Sequence, residues 1–211
     1  MQRGEIAIVG AGIGGLALAV AAERIGWTPV VYERQPAACT NGGVLLVWAN
    51  GLRALSALGL KEFEAGTMPS CTWVQETLFK NWKGERLLTL PAPDPAEGEL
   101  RSLLVPRSTL IEALVAAADP GGTTIRWDHE CTGYTALGRG VLPRVGRNGD
   151  PARPLPASPA DVLVGCDGAR SVIRRRLFPG AEPLRPSYHN AWTGISHVSE
   201  SQWPYEPGHT V

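Results

Sequence analysis

Three glycines near the amino terminus constrain the fold more than any other feature of this chain. Gly10, Gly12 and Gly15 follow the spacing G-x-G-x-x-G, between an apolar stretch and an alanine-rich one. The next apolar stretch, residues 29–32, is followed directly by the acidic residue Glu33. A strand, a glycine-rich turn, a helix and a second strand that ends in an acid about 20 residues further on make up the dinucleotide-binding fingerprint. The sequence therefore predicts a βαβ unit with a dinucleotide site.

Each part of this pattern has a physical role. Gly10 permits a tight turn, Gly12 lets the backbone approach a pyrophosphate, and Gly15 lets the helix pack closely on the strand. The helix amino terminus offers free N–H groups and a partial positive charge to phosphates. The Glu33 carboxylate is suited to accept hydrogen bonds from a ribose hydroxyl.

The same region has a second interpretation, because residues 6–22 are uncharged and contain Ala-x-Ala motifs. A secretory signal peptide or a membrane span would have this composition. Against it, the glycines crowded into residues 10–15 weaken a helical signal core. A signal peptide also gives no reason for a second strand that ends in Glu33.

Composition indicates an ordinary globular protein. The 211 residues are 44% hydrophobic and 19% charged, and the formal net charge is zero. This charge balance argues against electrostatic binding to nucleic acid or to an anionic membrane. No later stretch is apolar enough to span a bilayer. Four scattered cysteines without a C-x-x-C pair favour free thiols in the cytoplasm over disulfides or a metal site: Cys39, Cys71, Cys131 and Cys166.

Hydrophobic spacing predicts the elements that follow. In the first half we expect a loop over 34–41, a short helix over 50–60, and strands over 73–79 and 86–90 that flank a polar turn. In the second half we expect strands over 101–106 and 123–127, with a helix between them whose amino-terminal cap is Ser108. Residues 161–166 predict a strand that leads into Asp167 and a short helix from about Ser171. Residues 187–198 predict a strand of a second sheet.

Two arginine-rich segments lie in the second half. Residues 142–160 are rich in Pro, Arg and Gly, which predicts an irregular surface excursion. Arg174, Arg175 and Arg176 lie in the short helix and cannot all point to one side. A solvated face is the default for such arginines, and a phosphate clamp is the alternative.

Three separated segments together resemble one protein family. They are the opening fingerprint with Glu33, residues 105–114 (VPRSTLIEAL) and residues 161–174 (DVLVGCDGARSVIR). In this order they are similar to the class A FAD-dependent monooxygenases, the p-hydroxybenzoate hydroxylase-like flavoproteins. Cys166 departs from the alanine that is usual in the third motif.

The resemblance implies an α/β fold with a Rossmann-like FAD-binding domain, a parallel sheet and part of a smaller β-rich substrate domain. The FAD-binding domain would comprise 1–70 and 100–180, and the substrate domain 71–99 and 181–211. Position by position, the resemblance implies these cofactor-binding residues: Gly10, Gly12, Gly15, Glu33, Arg34, Gly43, Arg107 and Asp167.

The family's chemistry implies FAD as cofactor and NAD(P)H as reductant. Reduced flavin reacts with O₂, and one oxygen atom is transferred to an aromatic or polyketide-like substrate. The sequence names no catalytic residue. The polar and aromatic side chains that could face substrate, although packing is their more usual role, are Tyr188, His189, Trp192 and His197.

Nothing in the 211 residues matches the family's later Gly-Asp motif, whose aspartate binds the ribityl chain. Two readings follow: a monooxygenase, with a partner chain or self-association that completes the flavin site, or an inactive truncated homologue that binds FAD weakly or acts only as an interaction partner. A fragment of an NAD-dependent dehydrogenase is a third reading, but it leaves Arg107 and Asp167 without a role.

Overall fold

The computed structural model describes residues 4–39, 41–93, 101–118, 122–148, 150–182, 185 and 209–210. The chain forms two compact units. The first comprises Met1–Thr40 with Leu110–Asn190, and the second comprises Asn41–Thr109 with Ala191–Val211. The functional domain boundaries expected from the resemblance stay a prediction.

A four-stranded parallel sheet forms the base of the first unit. Its strands are β1 (Gly4–Val9), β2 (Trp27–Tyr32), β8 (Thr124–Arg126) and β12 (Val162–Gly165). They lie in the order β12-β1-β2-β8, and helix α1 (Ile13–Arg24) connects β1 to β2. The predicted α/β fold with a parallel sheet is therefore confirmed.

A three-stranded antiparallel sheet packs against the parallel one within this unit. It comprises β9 (His129–Ala136), β10 (Val141–Arg147) and β11 (Asp150–Leu155), with β10 in the centre. Buried side chains from both sheets meet in one cluster: Ala7, Tyr32, Val145 and Ala160. A second cluster joins Val9, Cys131 and Ile173, the last from helix α5 (Val172–Leu177). The buried apolar residues of these two clusters therefore hold the antiparallel sheet against the parallel sheet.

The expectation of an irregular excursion over 142–160 is wrong, because β10 and β11 occupy most of it. Pro143 and Val145 are buried on either side of the exposed Arg144, and Val145 reaches the core. Pro143 sits in the central strand, a position that proline seldom takes. Register shifts follow Arg144 and Gly146. Core packing thus outweighs the composition of the segment.

The second unit contains two small sheets. The first has the order β3-β7-β4, with β3 (Val44–Val47), β4 (Thr72–Trp73) and β7 (Leu103–Pro106). The second has the order β13-β5-β6, with β5 (Glu76–Lys80), β6 (Arg86–Pro91) and β13 (His209–Thr210). Helices α2 (Ala49–Ala57) and α3 (Lys61–Ala65) follow β3. Helix α4 (Arg107–Ala118) begins in this unit and belongs to the first unit from Leu110 onward.

Two local expectations need correction. The predicted strand over 73–79 is two strands in different sheets, because Trp73 pairs with Leu103 whereas β5 pairs with β6. The chain changes sheets at Val74, whose N–H donates to the carbonyl of Ser102. Ser108 is not an amino-terminal cap, since α4 begins one residue earlier at Arg107.

The remaining predicted elements are confirmed with shifts of a few residues at their ends: α2, β7, β8, β12 and α5. Ser171 caps α5, and its side-chain oxygen accepts a hydrogen bond from the Arg174 N–H at 2.9 Å. The predicted strand over 187–198 lies outside the described residues. No helix within the described ranges is both long and apolar enough to cross a membrane.

Candidate functional site

The turn between β1 and α1 is shaped by glycine. Gly10 has φ +102°, and its N–H donates to the carbonyl of Tyr32 at 2.8 Å. A Cβ atom at Gly10 would lie 2.6 Å from the carbonyl oxygen of Cys166. Residue 10 therefore favours glycine for two reasons: its backbone conformation is one that other residues rarely adopt, and a side chain would clash with the segment after β12.

Gly15 has a different constraint. It is buried in the first turn of α1, and a Cβ atom there would overlap the carbonyl oxygen of Gly10. The absent side chain lets the helix approach the turn closely, which is the packing role expected from the sequence.

Gly12 and Gly14 differ from these two, since no protein atom lies within 4 Å of a Cβ built on either one. Gly12 is the amino-terminal cap residue of α1, with φ −78° and ψ −179°, and it provides no side-chain hydrogen bond. The first turn of α1 contains no acidic residue. A helix start of this kind presents N–H groups and a partial positive charge, which suits a phosphate group.

Glu33 lies beside this helix start. Its Oε2 accepts a hydrogen bond from the N–H of Ala11 at 2.8 Å, and its Oε1 accepts one from the N–H of Gln35 at 2.8 Å. The Glu33 N–H donates to the carbonyl of Arg126 on β8. Both carboxylate oxygens are thus held by backbone donors, and each retains a further lone pair for a ligand hydroxyl.

Asp167 lies on the other side of the glycine turn, with its Cα atom 3.3 Å from the position of a Cβ on Gly10. Its Oδ2 accepts hydrogen bonds from Val172 N–H at 2.6 Å and Ile173 N–H at 3.3 Å. Its Oδ1 is buried and has no hydrogen-bond partner within the described part of the chain. Asp167 therefore fixes the start of α5 next to the glycine turn.

Two thiols are close enough to Asp167 to be affected by its charge. Burial is the main cause that raises the pKa of Cys166, and the Asp167 carboxylate raises it further. Burial likewise raises the pKa of Cys131, a backbone hydrogen bond with Gly133 lowers it, and the charge of Asp167 raises it further. Both thiols are therefore protonated at neutral pH and are poor nucleophiles.

Arg107 and Gly43 meet in the second unit. The Arg107 N–H donates to the carbonyl of Gly43 at 3.1 Å, and its Nη1 donates to the carbonyl of Asn41 at 3.0 Å. The Cδ atom of Arg107 lies 2.7 Å from where a Cβ on Gly42 would be, and Gly42 has φ +144°. Arg107 therefore shapes the turn that leads into β3.

The first unit thus brings together five of the predicted site residues: Gly10, Gly12, Gly15, Glu33 and Asp167. Arg34 is exposed immediately after Glu33. Tyr188, His189, Trp192 and His197 lie outside the described residues. Among the residues that are described, no three His, Cys, Asp or Glu side chains are placed to hold a metal ion. The individual ligand roles stay predictions.

Two backbone groups of this site could not be predicted from the sequence. The N–H of Ala11 holds Glu33, and the carbonyl of Cys166 lies against Gly10. Backbone donors and acceptors are present at every residue, so the sequence gives no signal for either contact.

Comparison with known proteins assigns the family. A sequence profile described as FAD binding domain matches residues 3–210. The chain belongs to this family. The resemblance to class A FAD-dependent monooxygenases is thereby confirmed, and FAD is the cofactor of the family.

Two relatives illustrate the match. A 2-heptyl-3-hydroxy-4(1H)-quinolone synthase of Mycobacteroides abscessus is 32% identical over 100% of this chain and 51% of its own length. An aurachin C monooxygenase/isomerase of Stigmatella aurantiaca is 28% identical over 92% of this chain and 48% of its own length. The chain therefore spans about half the length of these relatives.

Solved structures agree on the fold. The p-nitrophenol 4-monooxygenase PnpA of Pseudomonas putida matches with a TM-score of 0.69 and 21% identity, over 83% of this chain and 43% of that chain. A 2-methyl-3-hydroxypyridine-5-carboxylic acid oxygenase matches with a TM-score of 0.62 and 26% identity, over 82% of this chain and 42% of that chain. The FAD-binding fold of this family is therefore the fold of this chain.

Proposed function

We propose that this chain forms the FAD-binding part of an NAD(P)H-dependent monooxygenase. The observation that carries the proposal is the position of the Glu33 carboxylate, which the Ala11 N–H holds beside the open start of α1. This arrangement occurs in a chain that matches the FAD binding domain family over almost its whole length.

Different residues of the first unit bind different parts of FAD. The N–H groups at the start of α1 bind the pyrophosphate, and Gly12 allows it to approach because no side chain intervenes. Glu33 accepts hydrogen bonds from the adenosine ribose. Asp167 fixes the turn between β12 and α5 and supports both the pyrophosphate and the access of the nicotinamide.

Three further residues complete the proposed set. Arg107 and Gly43, which bind one another in the second unit, lie along the phosphate and ribityl part of the cofactor. Arg34, next to Glu33, contacts the adenosine end of the cofactor. Bound FAD supplies electron transfer and reaction with O₂, while the protein positions it and excludes water.

The substrate proposed for this activity is an aromatic nitrogen heterocycle, within the broader class of aromatic or polyketide-like molecules. Two relatives are named for a quinolone and for phenazine 1,6-dicarboxylic acid. The second, the hydroxylase PhzS of Lysobacter antibioticus, is 29% identical over 93% of this chain and 48% of its own length. We also assign the activity to the cytoplasm, since all four cysteines are free thiols.

Isotope incorporation tests the proposed activity. Purified chain is mixed with FAD, NADH or NADPH, and 2-heptyl-4(1H)-quinolone or a phenazine carboxylate under ¹⁸O₂. We expect FAD-dependent oxidation of the reduced nicotinamide and one ¹⁸O atom in the organic product. If no nicotinamide oxidation depends on FAD with either reductant, the monooxygenase proposal is wrong.

A second candidate function is a chain that binds FAD but transfers no oxygen to substrate. It rests on the same glycine turn and Glu33 carboxylate, whose geometry suits cofactor binding and does not require a reaction at the flavin. An incompletely enclosed flavin loses its reducing equivalents to peroxide because water reaches it. The same assay separates the two, since this candidate predicts hydrogen peroxide equal to the nicotinamide consumed and no labelled product. A partner chain or a second copy that completes the flavin site stays a prediction.

A further inference from the structure

Gly133 on β9 marks a second site in the first unit, away from the glycine turn. It is buried, it has φ +151°, and it pairs with Arg144 on the neighbouring strand β10. Its carbonyl accepts a hydrogen bond from the thiol of Cys131 at 3.2 Å. A residue with a side chain is strained in this backbone conformation, so the position favours glycine.

Two guanidinium-bearing side chains converge over Gly133. The Nη2 atom of Arg144 lies 2.9 Å from the position that a Cβ on Gly133 would occupy. The Cδ atom of Arg176, which comes from α5, lies 3.4 Å from the same position. The side chains of two arginines from different elements therefore both approach the space that a side chain on Gly133 would fill.

The aromatic ring of Tyr134 forms one side of this site. The Cζ atom of Arg176 lies 6.0 Å from the centroid of that ring. A guanidinium near an aromatic face is held in orientation by the ring's electrostatic field. The three consecutive arginines of α5 also separate here. All three are exposed, but Arg174 donates to the carbonyl of Ala169 whereas Arg176 lies over the ring of Tyr134.

Neither arginine of this site forms an ion pair with a carboxylate of the described residues. By contrast, Arg147 on the same strand as Arg144 pairs with Asp128 at 2.8 Å. Two like charges that converge without an anion repel one another. A bound dianion removes this repulsion, and it accepts several N–H donors at once.

We propose that Arg144, Arg176 and the floor at Gly133 bind a phosphate-bearing ligand. A guanidinium presents a planar fork of donors that matches phosphate oxygens, and two forks match a phosphate or pyrophosphate group. This chemistry is shared by inorganic phosphates and by the 2′-phosphate or pyrophosphate of a nucleotide. The proposal does not depend on the monooxygenase activity.

Direct titration with inorganic pyrophosphate tests the site. Because the start of α1 is a second phosphate site, calorimetry is done in two arrangements: wild-type chain with saturating FAD, and Gly12→Val chain without FAD. In either arrangement pyrophosphate cannot bind at the glycine turn, because FAD occupies the turn in the first and the valine side chain blocks it in the second. The second still reports on Arg144 and Arg176 if FAD binding itself fails.

We expect Arg144→Gln and Arg176→Gln each to weaken pyrophosphate binding about tenfold or more, since each removes charge-assisted hydrogen bonds. The matched control is Arg175→Gln, which removes the same charge from the same helix and is expected to change the affinity less than about twofold. Arg176→Lys keeps the charge but loses the fork, and it should fall between wild type and Arg176→Gln. Thermal unfolding of each variant checks that the fold is retained.

Two results would overturn the proposal. One is the absence of pyrophosphate binding in both arrangements. The other is an equal loss in Arg175→Gln, which would show attraction by net charge alone. A comparison of 2′-phospho-ADP-ribose with ADP-ribose then identifies the source. Tighter binding of the 2′-phosphate form identifies the 2′-phosphate of a nucleotide as the ligand group. Equal binding of the two nucleotides that is tighter than that of inorganic pyrophosphate identifies the nucleotide pyrophosphate, and weaker binding of both than of inorganic pyrophosphate identifies a free phosphate.

Discussion

Gly12→Val is expected to weaken FAD binding about 100-fold or more while the chain remains folded. A valine side chain at residue 12 would project from the start of α1, where no protein atom lies within 4 Å of the Cβ position. It therefore meets the pyrophosphate rather than the protein. Each N–H that loses a charged phosphate oxygen forfeits about 1.5–3 kcal/mol. The loss of two such bonds weakens FAD binding about 100-fold or more.

The fold should tolerate this change because Gly12 has extended backbone angles that valine adopts readily. Valine is a poorer helix cap than glycine, so we expect a fall of about 1 kcal/mol or less in the free energy of unfolding. FAD fluorescence titration and urea denaturation measure the two effects.

Gly138→Val is the matched control for this experiment. Gly138 is exposed in the turn between β9 and β10, and a Cβ there also has no protein atom within 4 Å. The same substitution at this position should leave FAD affinity unchanged. Retained FAD binding in Gly12→Val, or an equal loss in Gly138→Val, would place the pyrophosphate elsewhere.

Glu33→Ala is expected to lower both FAD affinity and stability. The carboxylate accepts hydrogen bonds from Ala11 and Gln35, and Ala11 is buried. An unsatisfied buried donor costs about 1–3 kcal/mol of stability. The lost charge-assisted bond to the ribose costs a further 1.5–3 kcal/mol of binding, or about 10- to 150-fold in affinity.

Glu33→Gln separates these two contributions. Its side-chain oxygen can still accept from the Ala11 N–H, so most of the stability should return. The charge does not return, so FAD affinity should remain below that of wild type. Glu112→Ala, which removes an exposed carboxylate from α4, is the control and should change neither quantity. Wild-type FAD affinity in Glu33→Ala would show that this carboxylate does not hold the cofactor.

The βαβ unit around the glycines could be predicted because several local signals agree. Glycine spacing, an alanine-rich helix and an acid after β2 are consequences of contacts between near neighbours in sequence. The structure adds the reason for each glycine. A side chain at residue 10 or 15 would clash with neighbouring backbone atoms of the protein, whereas a side chain at residue 12 would not.

The β10–β11 hairpin was missed because proline and arginine content suggested a loop. The alternation of Val141, Pro143 and Val145 was the available signal, and Asn148-Gly149 is a dipeptide typical of tight hairpins. Their burial depends on long-range packing against Tyr32 and Ala160. Long-range contacts of this kind leave little trace in local composition.

The positions of Glu33 and Asp167 beside the glycine turn could be predicted from the sequence, whereas their backbone contacts could not, and their roles as ligands stay predictions. The sequence identified Glu33 and Asp167, yet it gave no indication that both carboxylates accept from backbone N–H groups. The convergence of Arg144 and Arg176 over Gly133 was equally invisible, since it depends on strand register and on the position of α5.

Titration of the 211-residue chain with FAD, NAD and NADP tests the central claim most directly, namely that the glycine turn and Glu33 form an FAD site. We expect FAD to bind most tightly, and NADP to bind more weakly than NAD because the Glu33 carboxylate repels a 2′-phosphate. Intrinsic fluorescence and calorimetry on the same samples give the three dissociation constants. Tighter binding of NADP than of FAD would contradict the account.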